Sequence, residues 1–350
     1  MGYLPPPPPW APPFAWQEYY TEVQKRDIRR LSNIHGGGLL LAVALQVAVI
    51  APLANALPDF FPALAADPLW SLLLQMATTV LTIFPGALLC LRLLTPWEHN
   101  RALPLGKPFA AAAPNRRRTL TLAVLCLGLF VCFAGQLVSS WVETFFNQFD
   151  LSLRLPDDDV VAGGSSPALF LFRLLVIALC PAVIEELLMR GAVLQPLRRY
   201  GDVFAVVFSS LLFALLHGNL LQGVFAFFAG LAMGFAAVYS GSLWPGIVLH
   251  FLNNGFAVVL DELFTRYPES DRVAQITNLS YLAFHVGVGV LGLALILLCR
   301  RSLPKLRKPN LLVSGRTLTV NYLFASAPMA LALLVFLGEI VLMAVLGNIT

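Results

Sequence analysis

Residues 167–190 read PALFLFRLLVIALCPAVIEELLMR. The stretch is long and apolar enough to cross a bilayer as a helix, which takes about 20 residues, yet it ends on two adjacent acids and an arginine. Working outward, further apolar runs occur near 37–57, 70–94, 119–141, 203–217, 220–239, 243–260, 278–299 and 323–347. The chain is 58% hydrophobic and only 12% charged. Soluble domains carry roughly 25% charged residues, and a large core cannot explain the deficit because its surface must still face water. Lipid is therefore a main solvent. The expected architecture is an all-α polytopic transmembrane helix bundle of about nine spans. It falls to about eight if 203–217 and 220–239 are one broken element around His217-Gly218-Asn219.

Loop charge sets the expected orientation, since Lys and Arg collect in cytoplasmic loops. With the N-terminus inside, segments 25–30, 92–118, 190–199 and 300–316 hold 19 of the 23 basic residues. The loops left outside carry Asp157 to Asp159, Asp261, Glu262 and Asp271. This predicts N-in and C-out. The proline-rich opening MGYLPPPPPWAPPF lacks the order of a signal peptide, and Pro6 excludes a myristoylation motif. All five cysteines, Cys90, Cys126, Cys132, Cys180 and Cys299, lie in apolar runs and read as buried free thiols. Gly230 and Gly234 form a GxxxG that reads as close packing within the bundle.

Ionisable residues at membrane depth carry the functional signal, because a charged group near a helix centre costs about 2.5–3.5 kcal/mol to insert. They cluster between Glu185 and Asn254. Glu185 and Glu186 point about 100° apart on a helix and serve different faces. Glu186 and Arg190 are four apart, the spacing of a helical ion pair. That leaves Glu185 as the unpaired acid, free to act as a general base. Interfacial helix-end charges are the plainer reading of the same segment. His217 closes the run SSLLFALLH at 209–217, and His250, Asn253 and Asn254 share a region of the run at 243–260.

Depth links these groups. Glu185 and His217 each lie 16 residues from Gly201, roughly 24 Å along antiparallel helices. His250 is nine residues from Gly241, roughly 14 Å. The levels agree if the hairpin at Gly201 projects about 10 Å into the cytosol, with Arg198, Arg199 and Asp202 at its tip. His35 and His99 fall in cytoplasmic segments and His285 stands alone in its run, and none is given chemistry.

The motifs EExxxR (Glu185-Glu186-Leu-Leu-Met-Arg190), FxxxH (Phe213 to His217) and HxxxN (His250 to Asn254) stand here in order on three apolar helices. In this the chain resembles the CPBP intramembrane protease family, also called the Abi or CAAX-protease family, over about residues 167–258. The resemblance implies a glutamate-dependent intramembrane endopeptidase acting on membrane-associated proteins or peptides. Glu185 would activate water with help from His217, His250 and Asn254 would donate to the oxyanion, and Glu186 and Arg190 would brace them. No metal is obligatory in this reading; Zn²⁺ held by Glu185, His217 and His250 is the alternative. The expected organisation is a proline-rich cytoplasmic tail (1–36), N-terminal helices (37–166), a catalytic core (167–260) and C-terminal helices (261–350). The expected setting is a multi-pass protein of a bacterial plasma membrane, with the bilayer and a membrane peptide as partners and no nucleic acid. Two competing readings are a non-catalytic membrane immunity or scaffold protein and a proton-coupled transporter, since buried Glu and His also form proton relays.

Overall fold

A computed structural model describes residues 9, 12, 15–62, 68–89, 103–149, 151, 153, 166–267, 270–309 and 311–346. Among them the chain is all helical, with no strand. The helices are α1 (Trp16–Leu57), α2 (Leu69–Ile83), α3 (Pro114–Asn147), α4 (Pro167–Tyr200), α5 (Asp202–Leu215), α6 (Leu220–Ser240), α7 (Trp244–Arg266) and α8 (Asp271–Ser302). A short α9 (Gly315–Leu323) meets α10 (Ala327–Leu346) at a bend of 76°.

Six of these helices are long and apolar enough to cross a membrane, and the bent α9–α10 pair raises the number to seven. This differs from the nine runs expected. Helix α5 has 14 residues, about 21 Å at 1.5 Å per residue, short of the ~30 Å of hydrocarbon. The apolar run at 70–94 passes beyond the described residues after Leu89. His99, Cys90 and the acidic loop at 157–159 also lie outside them.

The turns follow from the residues placed in them. Gly201 joins α4 to α5 with φ +113°, and Gly218 and Gly241 have φ +61° and +66°, values that glycine adopts without steric cost. The Gly201 tip is covered by the segment around Arg307 and Pro309. Asp202 is buried, accepting from Arg198 Nε at 2.7 Å and from the Arg307 backbone N–H at 2.7 Å. The 303–309 segment folds against the hairpin, its Arg307 N–H satisfying the Asp202 oxygen that Arg198 does not reach.

Close approach of α5 and α6 depends on the GxxxG. A Cβ at Gly230 would stand 2.9 Å from that of Ser210, and one at Gly234 would stand 2.9 Å from Val206 Cγ1. The motif therefore serves packing within the chain. The described cysteines, Cys126, Cys132, Cys180 and Cys299, are free thiols, all buried except the half-buried Cys180.

Helix α1 begins well before the first expected span. Its buried stripe Ile28, Leu31, Ser32, His35, Leu39 and Ala42 follows helical periodicity. Ser32 Oγ donates to the Tyr322 carbonyl, and His35 Nδ1 lies 2.8 Å from the Tyr322 hydroxyl. His35 is thus fully buried between the two ends of the chain. At the opposite end of the bundle, the fully buried Arg173 pairs with Asp261 and Glu262, and Glu262 also accepts from Arg266 at 2.7 Å. Large apolar side chains such as Leu171, Val290, Leu298, Leu334 and Val341 face outward, as expected of an integral membrane protein solvated by lipid.

Candidate active site

One of the helices holding the polar residues is locally irregular. Helix α4 contains two π-helical stretches, Leu174–Leu179 and Leu187–Val193, flanking the turn that carries Glu185 and Glu186. Such π turns often mark functional sites. Pro181 lies between them and has no N–H, so the ladder leaves the Ile177 carbonyl without its α-helical donor. Asn254 Nδ2 on α7 donates to that carbonyl at 3.1 Å. One missing backbone donor thus ties α7 to α4 at the level of the acids. Asn253 completes the link, donating to Asn254 Oδ1 at 3.2 Å.

His250 lies between the two carboxylates. Its Nδ1 is 3.3 Å from Glu186 Oε1, and its Nε2 is 3.9 Å from Glu185 Oε2. The acids do leave α4 in different directions, as expected, but each addresses a different nitrogen of one ring. Glu186 and Arg190 form the expected ion pair at 2.7 Å, both fully buried. Arg190 also donates to the Gly230 carbonyl at 3.0 Å, an approach that the glycine packing of α6 permits. Its guanidinium lies 4.7 Å from the Phe213 ring centroid, a cation–π contact. The Glu185 side chain keeps 18% of its surface exposed while that of Glu186 keeps none. The carboxylate left open to a reacting molecule is therefore Glu185.

His217 enters through Phe213. Its ring stands edge-to-face on Phe213 at 4.9 Å, and Phe213 stands edge-to-face on His250 at 5.8 Å. His217 Nδ1 donates to the Phe213 carbonyl at 2.8 Å, which leaves Nε2 as the ring nitrogen available to other partners. The structure thus brings Glu185, Glu186, Arg190 and His250 into one connected group. It sets His217 beside them across an aromatic ring and Asn254 beside them on a backbone carbonyl. Among the described residues no three His, Cys, Asp or Glu side chains converge as a metal-binding group, so Glu185, His217 and His250 do not form a ready zinc site as they stand. His285 is stacked on Phe133 at 4.9 Å, away from this group.

Two contributors are missing from the sequence reading. Gly246 lets α7 close on α4, since a Cβ there would lie 2.8 Å from Glu186 Oε2. Glu339 of α10 reaches Gly218, the residue after His217, with Oε2 3.4 Å from where a Cβ would stand. A single acid inside a 20-residue apolar helix was the available signal.

Residues 167–256 match the model of a family described as Rce1-like, Type II CAAX prenyl endopeptidase Rce1-like. The match spans α4 through most of α7 and contains all three motifs. Neither the curated proteins nor the solved structures gave a match.

Proposed function

We propose that the Rce1-like type II CAAX prenyl endopeptidase domain at residues 167–256 hydrolyses peptide bonds of membrane-associated proteins or peptides, with Glu185 as general base. The observation that carries this reading is the 3.9 Å separation of Glu185 Oε2 and His250 Nε2. A water at about 2.8 Å from each atom fits that gap. Glu185 takes a proton from this water as its oxygen attacks the substrate carbonyl carbon, with His217 Nε2 as the assisting acceptor. The carbonyl π pair moves to oxygen, where His250 and the second N–H of Asn254 donate to the oxyanion. Glu186 holds His250 at Nδ1, which leaves the Nε2 side of the ring toward the substrate. As the C–N bond breaks, Glu185 returns its proton to the leaving amine.

The water-activating role falls to the carboxylate and imidazoles, with no obligatory metal; cleavage should then survive a zinc chelator, and its loss there would favour Zn²⁺ at Glu185, His217 and His250. The setting proposed is a bacterial plasma membrane, in which short loops between spans are usual. Glu185→Gln keeps the shape of the side chain and removes the base. We expect it to lower cleavage of a membrane-tethered peptide by at least about a hundredfold with unchanged thermal unfolding. Wild-type cleavage by that variant overturns the reading.

A further inference from the structure

Helix α10 lies outside the matched domain, yet it presents one ionisable side chain to that domain. Met329, Ala332, Leu333 and Phe336 form the buried face of α10, at the three- and four-residue spacing of a packed helical stripe. Glu339 continues that stripe and is half-buried. Its carboxylate meets the Gly218 turn directly after His217. It has no hydrogen-bond or ion-pair partner among the described residues. An inward-facing acid at this depth is costly unless a partner offsets it.

Among the described residues no cation is shown beside the Glu339 carboxylate. The buried Arg190 guanidinium of the matched domain is committed to Glu186 at 2.7 Å and to the Gly230 carbonyl at 3.0 Å. The other buried cation of this half of the chain, Arg173, is engaged by Asp261 and Glu262 at the far end of α7. A half-buried carboxylate with no cation beside it favours a cationic guest and repels an anionic one.

We infer that the Glu339 carboxylate recognises substrate, selecting membrane peptides with a Lys or Arg side chain close to the scissile bond. The inference takes its ligand class from the peptidase reading above. The basic side chain lies over the His217–Gly218 turn and supplies the partner Glu339 lacks, while the apolar stem of that side chain packs in the surrounding helix faces.

The test is a binding titration, followed by anisotropy, of the full chain in nanodiscs with synthetic apolar peptides of about 20 residues. Each peptide carries Lys, Gln or Glu at one position, and that position is moved along the peptide. Wild type is expected to bind the Lys form about tenfold tighter than the Gln form at one position, with the Glu form weakest. Glu339→Gln brings Lys and Gln peptides to the same Kd, and Glu339→Lys inverts the order in favour of Glu. Glu339→Asp keeps the charge and the preference, and serves if the Gln variant does not fold. Equal binding of Lys and Gln peptides by wild type at every position, or a preference that persists in Glu339→Gln, overturns the inference. Every titration, wild type at 339 included, is made with Glu185→Gln in the background to prevent turnover, and failure of the unsubstituted chain to cleave any peptide counts against the peptidase reading alone.

Discussion

At the scale of single residues, the site rests on a buried ion pair. Arg190 and Glu186 are both fully buried at 2.7 Å, and removing one partner of such a pair costs about 3–5 kcal/mol because the other charge is left uncompensated. Arg190→Met should therefore lower unfolding stability in micelles by about that amount. Glu186→Gln combined with Arg190→Met should regain most of it, since no bare charge remains. Activity should not return with stability, because Glu186 also holds His250 Nδ1 at 3.3 Å. Wild-type stability in the single Arg190 variant would contradict the pairing. The four-residue spacing made this pair legible in the sequence, whereas the bond from Glu186 to His250 joins positions 64 apart, which no local pattern encodes. Glu339 escaped for the opposite reason: it lies alone in an apolar run, and only its contact with Gly218 gives it a context.

At the scale of elements, α4 and α7 are coupled by a backbone defect. Pro181 leaves the Ile177 carbonyl open, and Asn254 fills it at 3.1 Å. Pro181→Ala restores the backbone donor, so α4 should become no less stable while Asn254 is released from its anchor. The expected result is a loss of peptidase activity of about tenfold with unfolding unchanged or improved. Asn254→Ala should cost stability of about 1 kcal/mol in the wild-type background and less in Pro181→Ala, a non-additivity that a double-mutant cycle reads directly. Strict additivity would mean that the two positions act independently. Of this architecture, the α4–α5 hairpin was readable because glycine at 201 and matched distances of 16 residues set it. The early start of α1 was not. Charged positions such as Lys25, Arg26 and Arg29 mask the buried stripe of Ile28, Leu31 and His35, which shows its purpose only once Tyr322 is packed against it.

At the scale of the molecule, contacts between distant segments gather charge at one end of the bundle. Arg116 donates to Ser302 Oγ at 3.3 Å, the Arg307 N–H to Asp202 at 2.7 Å, and Arg199 pairs with Asp27 at 3.1 Å. Arg117, Arg198, Arg300 and Arg301 accompany them along the chain. The other end carries Asp261, Glu262 and Asp271. Arg173, Arg266 and Arg272 also lie at that end, the first two paired with its acids. Basic residues are retained on the cytoplasmic side, so the Arg116–Ser302 end should face the cytosol. In a cysteine-free background, Ser302→Cys should resist a membrane-impermeant maleimide in intact cells and label after permeabilisation. Ser270→Cys, at the start of α8, should label without permeabilisation. The reverse pattern would invert the orientation, and with it the side from which substrate reaches Glu185.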